Sequence, residues 1–450
     1  MAKDFTQGSP AKVIFNFALP MLIGNVFQQL YSTVDSIIVG NFVGKNAIAA
    51  VGGTFSIQFL ILSLAIGFTT GMSVVVAQVY GARDFDKLKK AFSTGVIFIA
   101  FLSVGLAIVG LSVTKPLLVM LDTPQVIMKD SFTYLAIMFL GFPALFLYNM
   151  YAAVLRAVGD SKTPLYFLIV ATLVNIVLDV VFVVFFGMGV EGAAIATLIA
   201  QCVSAVLCHL YVGKKVEIFK LSRKDLVFDK DILKAIIRYG FPAAVQQSIL
   251  SLSFLAVQRF VNYFGEDMIA TFSVVNKIEN FVTMPMMNIA MALSMFAGQN
   301  IGAGEVKRAQ DGVKATMKLQ AVFCIVVLVV LPMIAPTLIS MFGLGKDVAV
   351  MNIGTMAIDF CSKFYFIFAA FQTLNNFHRG AGDAQFSMFA TICMIFVRIP
   401  ITYIMVYILQ LGEISIWLGM ITGWSTVLIL NGIRYVTGGW KGKAFIQKQK

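Results

Sequence analysis

The sequence predicts an all-α polytopic membrane protein of twelve transmembrane helices, arranged as two six-helix lobes related by a pseudo-twofold axis. Three observations carry that prediction. Of 450 residues, 59% are hydrophobic and 12% are charged, too little charge to cover a water-soluble globule of this size. Apolar stretches of about 20 residues, the length that crosses roughly 30 Å of hydrocarbon, recur down the whole chain. Finally, the punctuation of the first half returns in the second: Lys12 and Pro20 are matched by Lys234 and Pro242, and RAVGD (156–160) by RGAGD (379–383).

Taken in order, the first stretch, 13–40, follows the polar start MAKDFTQGSPAK. It outruns a signal-peptide core and shows no small-residue cleavage site, so it is expected to stay as a membrane helix. It holds Asp35 and also Pro20, which removes a backbone hydrogen bond and marks a static kink or a hinge. The second, 47–80, leads into the loop AQVYGARDFDKLKKA (77–91). The third and fourth cover 91–114 and 124–150. The fifth, 163–186, places Asn175 and Asp179 one turn apart on one face, and the sixth, 190–213, holds Thr197. After the basic stretch 214–234 the pattern restarts at 235–263, 268–297, 313–341, 352–377, 385–409 and 414–436. Here Pro242, Gln246, Gln247 and Arg259 lie in the seventh stretch, Lys277 and Glu279 in the eighth, Lys363 in the tenth and Arg398 in the eleventh. The eighth leads into GQNIGAGEVKRAQDG (298–312), which aligns with the loop at 77–91. Continuous apolarity, with no alternation of period two, excludes a porin-like barrel.

The expected domains are an N-lobe (1–213), a basic cytoplasmic linker (214–234) and a C-lobe (235–450). Six helices per half give both halves the same orientation, so the lobes are expected to face one central cavity and to suit alternating access. Of the 34 Lys and Arg residues, 25 fall in the even-numbered connections and at the two ends. By the positive-inside rule both termini are cytoplasmic in a multi-pass inner or plasma membrane. The same positions account for the net charge of +12 as topology signal and contact with anionic membrane lipids, so no nucleic-acid partner is expected. The cysteines at 202, 208, 324, 361 and 393 lie within predicted helices, form no CxxC pair and read as packing residues. No GxxxxGK[ST], HExxH or GxSxG motif occurs, so the chain is not expected to be an enzyme, to hydrolyse ATP or to need a cofactor.

Charge inside a bilayer costs about 2.5 to 3.5 kcal/mol per residue on insertion scales and marks candidate function. At 1.5 Å per residue, Asp35 lies roughly 9 Å from the outer end of its helix, Asp179 roughly 12 Å, and Thr197 roughly 8 to 10 Å. With Asn175 one turn further in, two carboxylates, an amide and a hydroxyl share one layer. Such oxygens suit Na⁺, and two neighbouring carboxylates in low dielectric equally suit H⁺. The alternative reading is interhelical hydrogen bonding alone. In the C-lobe, Glu279 is expected to pair with Arg398 or Lys363 while Lys277 faces elsewhere. These residues form either a structural ion pair or a polar patch on the substrate cavity. No metal beyond Na⁺ at the coupling residues is expected.

As a set, Pro20-x7-QQLYSTVDSIIVGNFVG, the two Gly-Ala loops, RAVGDSKTP, RGAGD and Asn175-x3-Asp179 with Thr197 resemble the multidrug and toxic compound extrusion family, in its DinF-like prokaryotic branch. The resemblance spans essentially the whole chain. It implies a monomeric exporter of small, amphipathic organic compounds in exchange for inward H⁺ or Na⁺. It assigns cation coupling to Asp35, Asn175, Asp179 and Thr197, and it places Gln28 and Asn149 near substrate. The NorM-like pattern of C-lobe acids in the seventh helix and late in the tenth is missing. A flippase for a lipid-linked saccharide precursor shares this architecture and is kept as the alternative, on Arg259, Lys277 and Arg398.

Overall fold

A computed structural model describes residues 3–220, 225–345 and 347–446, apart from the side chains of residues 56 and 252. Four residues of the expected linker (221–224), Lys346 and the last four residues lie outside it, and with them the topology signals at Arg223, Lys224, Lys448 and Lys450. Twelve helices are long and apolar enough to cross a membrane, and no strand occurs among the described residues. The first six are α1 (Pro10–Phe42), α2 (Lys45–Gly81), α3 (Phe85–Met120), α4 (Gln125–Ala157), α5 (Lys162–Asp179) and α6 (Gly189–Lys215). The second six are α7 (Lys230–Tyr263), α8 (Glu266–Gly302), α9 (Val306–Ile339), α10 (Val348–Gly380), α11 (Ala384–Tyr403) and α12 (Ile414–Val436). The chain is a multi-pass membrane protein.

Several helices outrun their hydropathic signal: α3 begins at Phe85, not 91, and α9 at Val306, not 313. Hydropathy reads only the part in hydrocarbon, whereas local capping sets the helix end. Asp84 caps α3 by accepting from the Lys87 amide at 3.0 Å. Asp229 accepts from the Asp231 and Ile232 amides at 2.9 and 3.0 Å to start α7. Asp160 accepts from the Thr163 amide and hydroxyl at 3.0 and 2.7 Å to start α5.

The repeat extends to backbone conformation. Left-handed φ occurs in register at Gly44 and Gly265, Arg83 and Gly304, Asp122 and Gly343, Gly159 and Gly382, and Gly187 and Gln410. Interhelical packing repeats too: α2 on α4, α3 on α4, α4 on α6 and α5 on α6 are matched by α8 on α10, α9 on α10, α10 on α12 and α11 on α12. Even the wide π turn following α5 (Val180–Phe185) has its copy after α11 (Ile404–Ile408).

The chain divides into two compact units. Unit 1 holds Leu19–Ala244 with the stretch ending at Asp4, and unit 2 holds Phe5–Ala18 and the chain from Val245 onward. The division therefore falls inside α1 and α7, next to Pro20 and Pro242, and not at 214–234. Local packing explains this. Gly67 and Gly71 of α2 meet Ala244 and Gly240 of α7 so closely that a Cβ on either α2 glycine would strike α7 backbone. This is the small-xxx-small contact that brings membrane helices together without a hydrophobic driving force. The approach to α7 is also pinned within unit 1, where the Val227 amide donates to Ser93 Oγ at 2.9 Å and the Asp229 amide to Thr94 Oγ1 at 3.0 Å.

Unit 2 pins the approach to α1 in the corresponding way. The Arg308 guanidinium donates to the carbonyls of Phe5, Gln7 and Gly8 at 3.1, 2.7 and 2.7 Å. Phe5 itself is buried against Phe17 and Phe296. Hydrogen bonds to a charged donor contribute about 1.5 to 3 kcal/mol. Arg308→Ala should therefore raise amide exchange across Phe5–Gly8 by at least tenfold while leaving exchange in unit 1 unchanged. Unaltered protection there would show that the Phe5 ring and its backbone hydrogen bonds with Gln299 and Asn300 anchor the segment without Arg308.

Candidate functional site

One cluster of polar side chains in unit 1 is built from α1, α4, α5 and α6. Tyr31 and Asp35 lie one turn apart on α1, Asn175 and Asp179 one turn apart on α5, and Thr197 on α6. That spacing turns each pair to one side of its helix. Asn175, Asp179 and Thr197 are all buried, whereas Asp35 is half-buried. The Tyr31 hydroxyl and Thr197 Oγ1 are 2.9 Å apart. The Asn175 amide satisfies its neighbours in one orientation, with its NH₂ donating to Asp179 Oδ2 at 2.9 Å and its oxygen accepting from the Thr197 amide at 3.3 Å.

Two acceptors are left over. Asp35 Oδ1 and Asp179 Oδ1 are shielded from solvent and accept no hydrogen bond, an uncommon and costly condition for a carboxylate. The two carboxylates repel one another across the site, and each also acts electrostatically on Tyr31 and Tyr134. Ile38, Val39, Val183 and Val190 pack with Tyr134 in an apolar cluster. The arrangement is a set of oxygen donors that includes two carboxylates, matched chemically to a small cation or a proton. Among the described residues no group of three His, Cys, Asp or Glu side chains is placed to hold a metal, so any cation here would also rely on neutral oxygens.

The other expected residues are placed as follows. Pro20 lies inside α1 beside the unit boundary. Gln28 is exposed on α1. Asn149 turns its amide onto its own helix, donating to the Leu145 carbonyl at 2.8 Å. Glu279 is buried but does not pair with Lys363, which forms an exposed ion pair with Asp359 at 2.8 Å, one turn away on α10. Glu279 instead accepts from the Tyr365 hydroxyl at 3.3 Å. Arg398 acts on it electrostatically without an ion-pair contact and donates to Ser253 at 3.4 Å. Lys277 is exposed, with its ammonium 5.5 Å from the Phe342 ring centre.

The repeat register aligns Tyr31, Asp35, Asn175 and Asp179 with Ser253, Val257, Arg398 and Thr402. Unit 2 therefore has neither carboxylate at these positions and carries a fixed guanidinium where unit 1 has an amide. The π turn after Asp179 has a counterpart without an acid, so it belongs to the scaffold. Sequence reasoning missed Tyr31 and Tyr134. Tyr31 had a signal, its one-turn spacing from Asp35 in QQLYSTVD, whereas Tyr134 reaches the site only through the packing of α4.

The sequence model of the MatE family matches residues 20–181 and 242–404. The chain is 31% identical over 422 residues to Probable multidrug resistance protein YoeA of Bacillus subtilis (strain 168), covering 92% of this chain and 91% of that one. It is 26% identical over 449 residues to Probable multidrug resistance protein NorM of Thermotoga maritima, covering 98% of this chain and 95% of that one. A solved structure, the outward-facing conformation of a multidrug resistance MATE family transporter of the MOP superfamily, matches with a TM-score of 0.90 at 24% identity. That match covers 97% of this chain and 98% of the other, and it shows a common fold.

Proposed function

This chain belongs to the MatE family, a family of transporters and not of enzymes, and from that premise we propose that it is a secondary active exporter of amphipathic organic compounds. In this reading it works by alternating access in the cytoplasmic membrane, with both termini cytoplasmic, and exchanges its cargo for inward Na⁺ or H⁺. The coupling ion is held in unit 1 by Asp35, Asn175, Asp179 and Thr197. The observation that carries the reading is the pair of solvent-shielded, unpartnered oxygens on Asp35 and Asp179.

The physical logic is electrostatic. Two like charges in a medium of low dielectric repel, and a cation or proton between them relieves the repulsion and favours a closer approach of α1 to α5. Pro20 leaves a carbonyl of α1 without its usual amide partner, which makes α1 the element best able to bend in response. A bound ion and an empty site thus favour different shapes of α1, the differential affinity that coupling requires. Relatives named for multidrug resistance support small organic cargo. Of the basic side chains that would favour a lipid-linked saccharide, Arg398 is turned onto Ser253, whereas Arg259 and Lys277 are exposed.

Proteoliposomes loaded with a fluorescent organic cation, given a Na⁺ or a H⁺ gradient separately, test the reading. Efflux should follow one imposed gradient and collapse when that gradient is dissipated. Efflux indifferent to both would overturn ion coupling. In the same assay Pro20→Ala should slow efflux by about tenfold, equivalent to about 1.4 kcal/mol on the limiting conformational step. An unchanged rate would make the proline a static kink.

A further inference from the structure

Unit 2 contains a groove of about 670 Å³, walled by the start of α1 and the first half of α9. It lies apart from the polar residues already described. On α9 its wall runs Lys314, Lys318, Val322, Val326, a spacing of four residues that forms one ridge along the helix. The two cations, with Asp311 beside them, are thus gathered at the end where α9 begins, and the rest of the ridge is apolar. Phe15 of α1 faces the ridge, and Phe15, Val322 and Val326 are 47%, 63% and 53% exposed. The groove is open along a flank that in a membrane meets lipid. Lys314 is loosely paired with Asp311, at 3.6 Å and with both side chains exposed. Lys318 has no acidic partner among the described residues.

We propose that this groove binds one anionic phospholipid, with its phosphate at Lys318 and Lys314 and an acyl chain along Val322 and Val326. From Lys318 to Val326 the ridge is about 12 Å long, close to the roughly 15 Å of hydrocarbon in one leaflet. The lysines lie among those that the positive-inside rule assigns to the cytoplasmic leaflet, where anionic lipids concentrate. Charge excludes a cationic amphiphile from the head position, and the length of the apolar wall exceeds what a free phosphate could use. Because Ser9, Pro10, Ala11 and Phe15 form the opposite wall, the bound lipid also holds the first turns of α1 against α9.

Full-length Val322→Trp protein in phosphatidylcholine vesicles provides the test, with fluorescence measured against the parent protein. Brominated phosphatidylglycerol should quench the new tryptophan with at least fivefold higher relative affinity than brominated phosphatidylcholine, since one lysine near a membrane surface is worth about fivefold in binding. Lys318→Gln should reduce that preference about fivefold, and Lys314→Gln by less because Asp311 already offsets it. Lys89→Gln, in unit 1, should leave it unchanged. Equal quenching by the two lipids would overturn the proposal. So would a preference that survives Lys314→Gln with Lys318→Gln, or loss of the preference on adding inorganic phosphate alone.

Discussion

Asp35→Asn is expected to reduce gradient-driven efflux by at least 100-fold while the protein remains folded in membranes. The substitution keeps size and shape and removes one charge, so the site can no longer compensate a cation or exchange a proton through that group. A 100-fold loss corresponds to about 2.7 kcal/mol, a modest demand on an ion–carboxylate interaction at low dielectric. Stability should respond in the opposite sense. Asp35 and Asp179 repel one another, and Asp35 Oδ1 has no hydrogen bond to lose. The variant should therefore unfold at the same temperature as the parent or a higher one, the pattern of a site held under strain for function. Asp35→Glu should retain partial activity. An inactive Asp35→Asn that also unfolds early would assign the carboxylate to the scaffold.

Gly71→Leu should have the largest effect on folding. A Cβ at Gly71 would strike Gly240 and the Ile236 carbonyl, and α7 backbone cannot yield as a flexible side chain would. Overpacking a well-packed contact costs about 1 to 3 kcal/mol, and here the obstacle is backbone, so about 3 kcal/mol or more is expected. That is a large part of the roughly 5 to 15 kcal/mol that holds a folded domain together. Thermal unfolding in detergent should show the loss. Gly105→Leu is the control, since nothing lies within 4 Å of its Cβ position. Equal stability of the two variants would mean that α2 and α7 do not depend on this close approach.

Hydropathy made the twelve spans readable because burial in hydrocarbon depends on each residue by itself. The repeat was readable because turns impose local demands: Gly159 and Gly382 both adopt left-handed φ. Asn175 and Asp179 could be placed on one face from spacing alone. What stayed hidden was pairwise. Nothing in the linear pattern ties Tyr31 to Thr197, 166 positions away, whereas the Asp359–Lys363 pair follows a spacing of four that the sequence does show. The exchange of the first turns of α1 and α7 between units was hidden for the same reason. For α7 it rests on Gly67 and Gly71 meeting Gly240 and Ala244, and for α1 on the contacts of Arg308 and Phe5, fits between distant residues that a linear pattern does not display.

In the proposed function one ion site in unit 1 couples to cargo movement. Its most direct test is substrate-driven ion uptake, with proteoliposomes loaded with an organic substrate, no imposed ion gradient, and inward movement of Na⁺ and of H⁺ recorded as substrate leaves. Uptake of one of these ions by the parent protein is expected, and none by Asp35→Asn or Asp179→Asn. Equal ion uptake by parent and both variants, or substrate efflux with no ion entry, would contradict it.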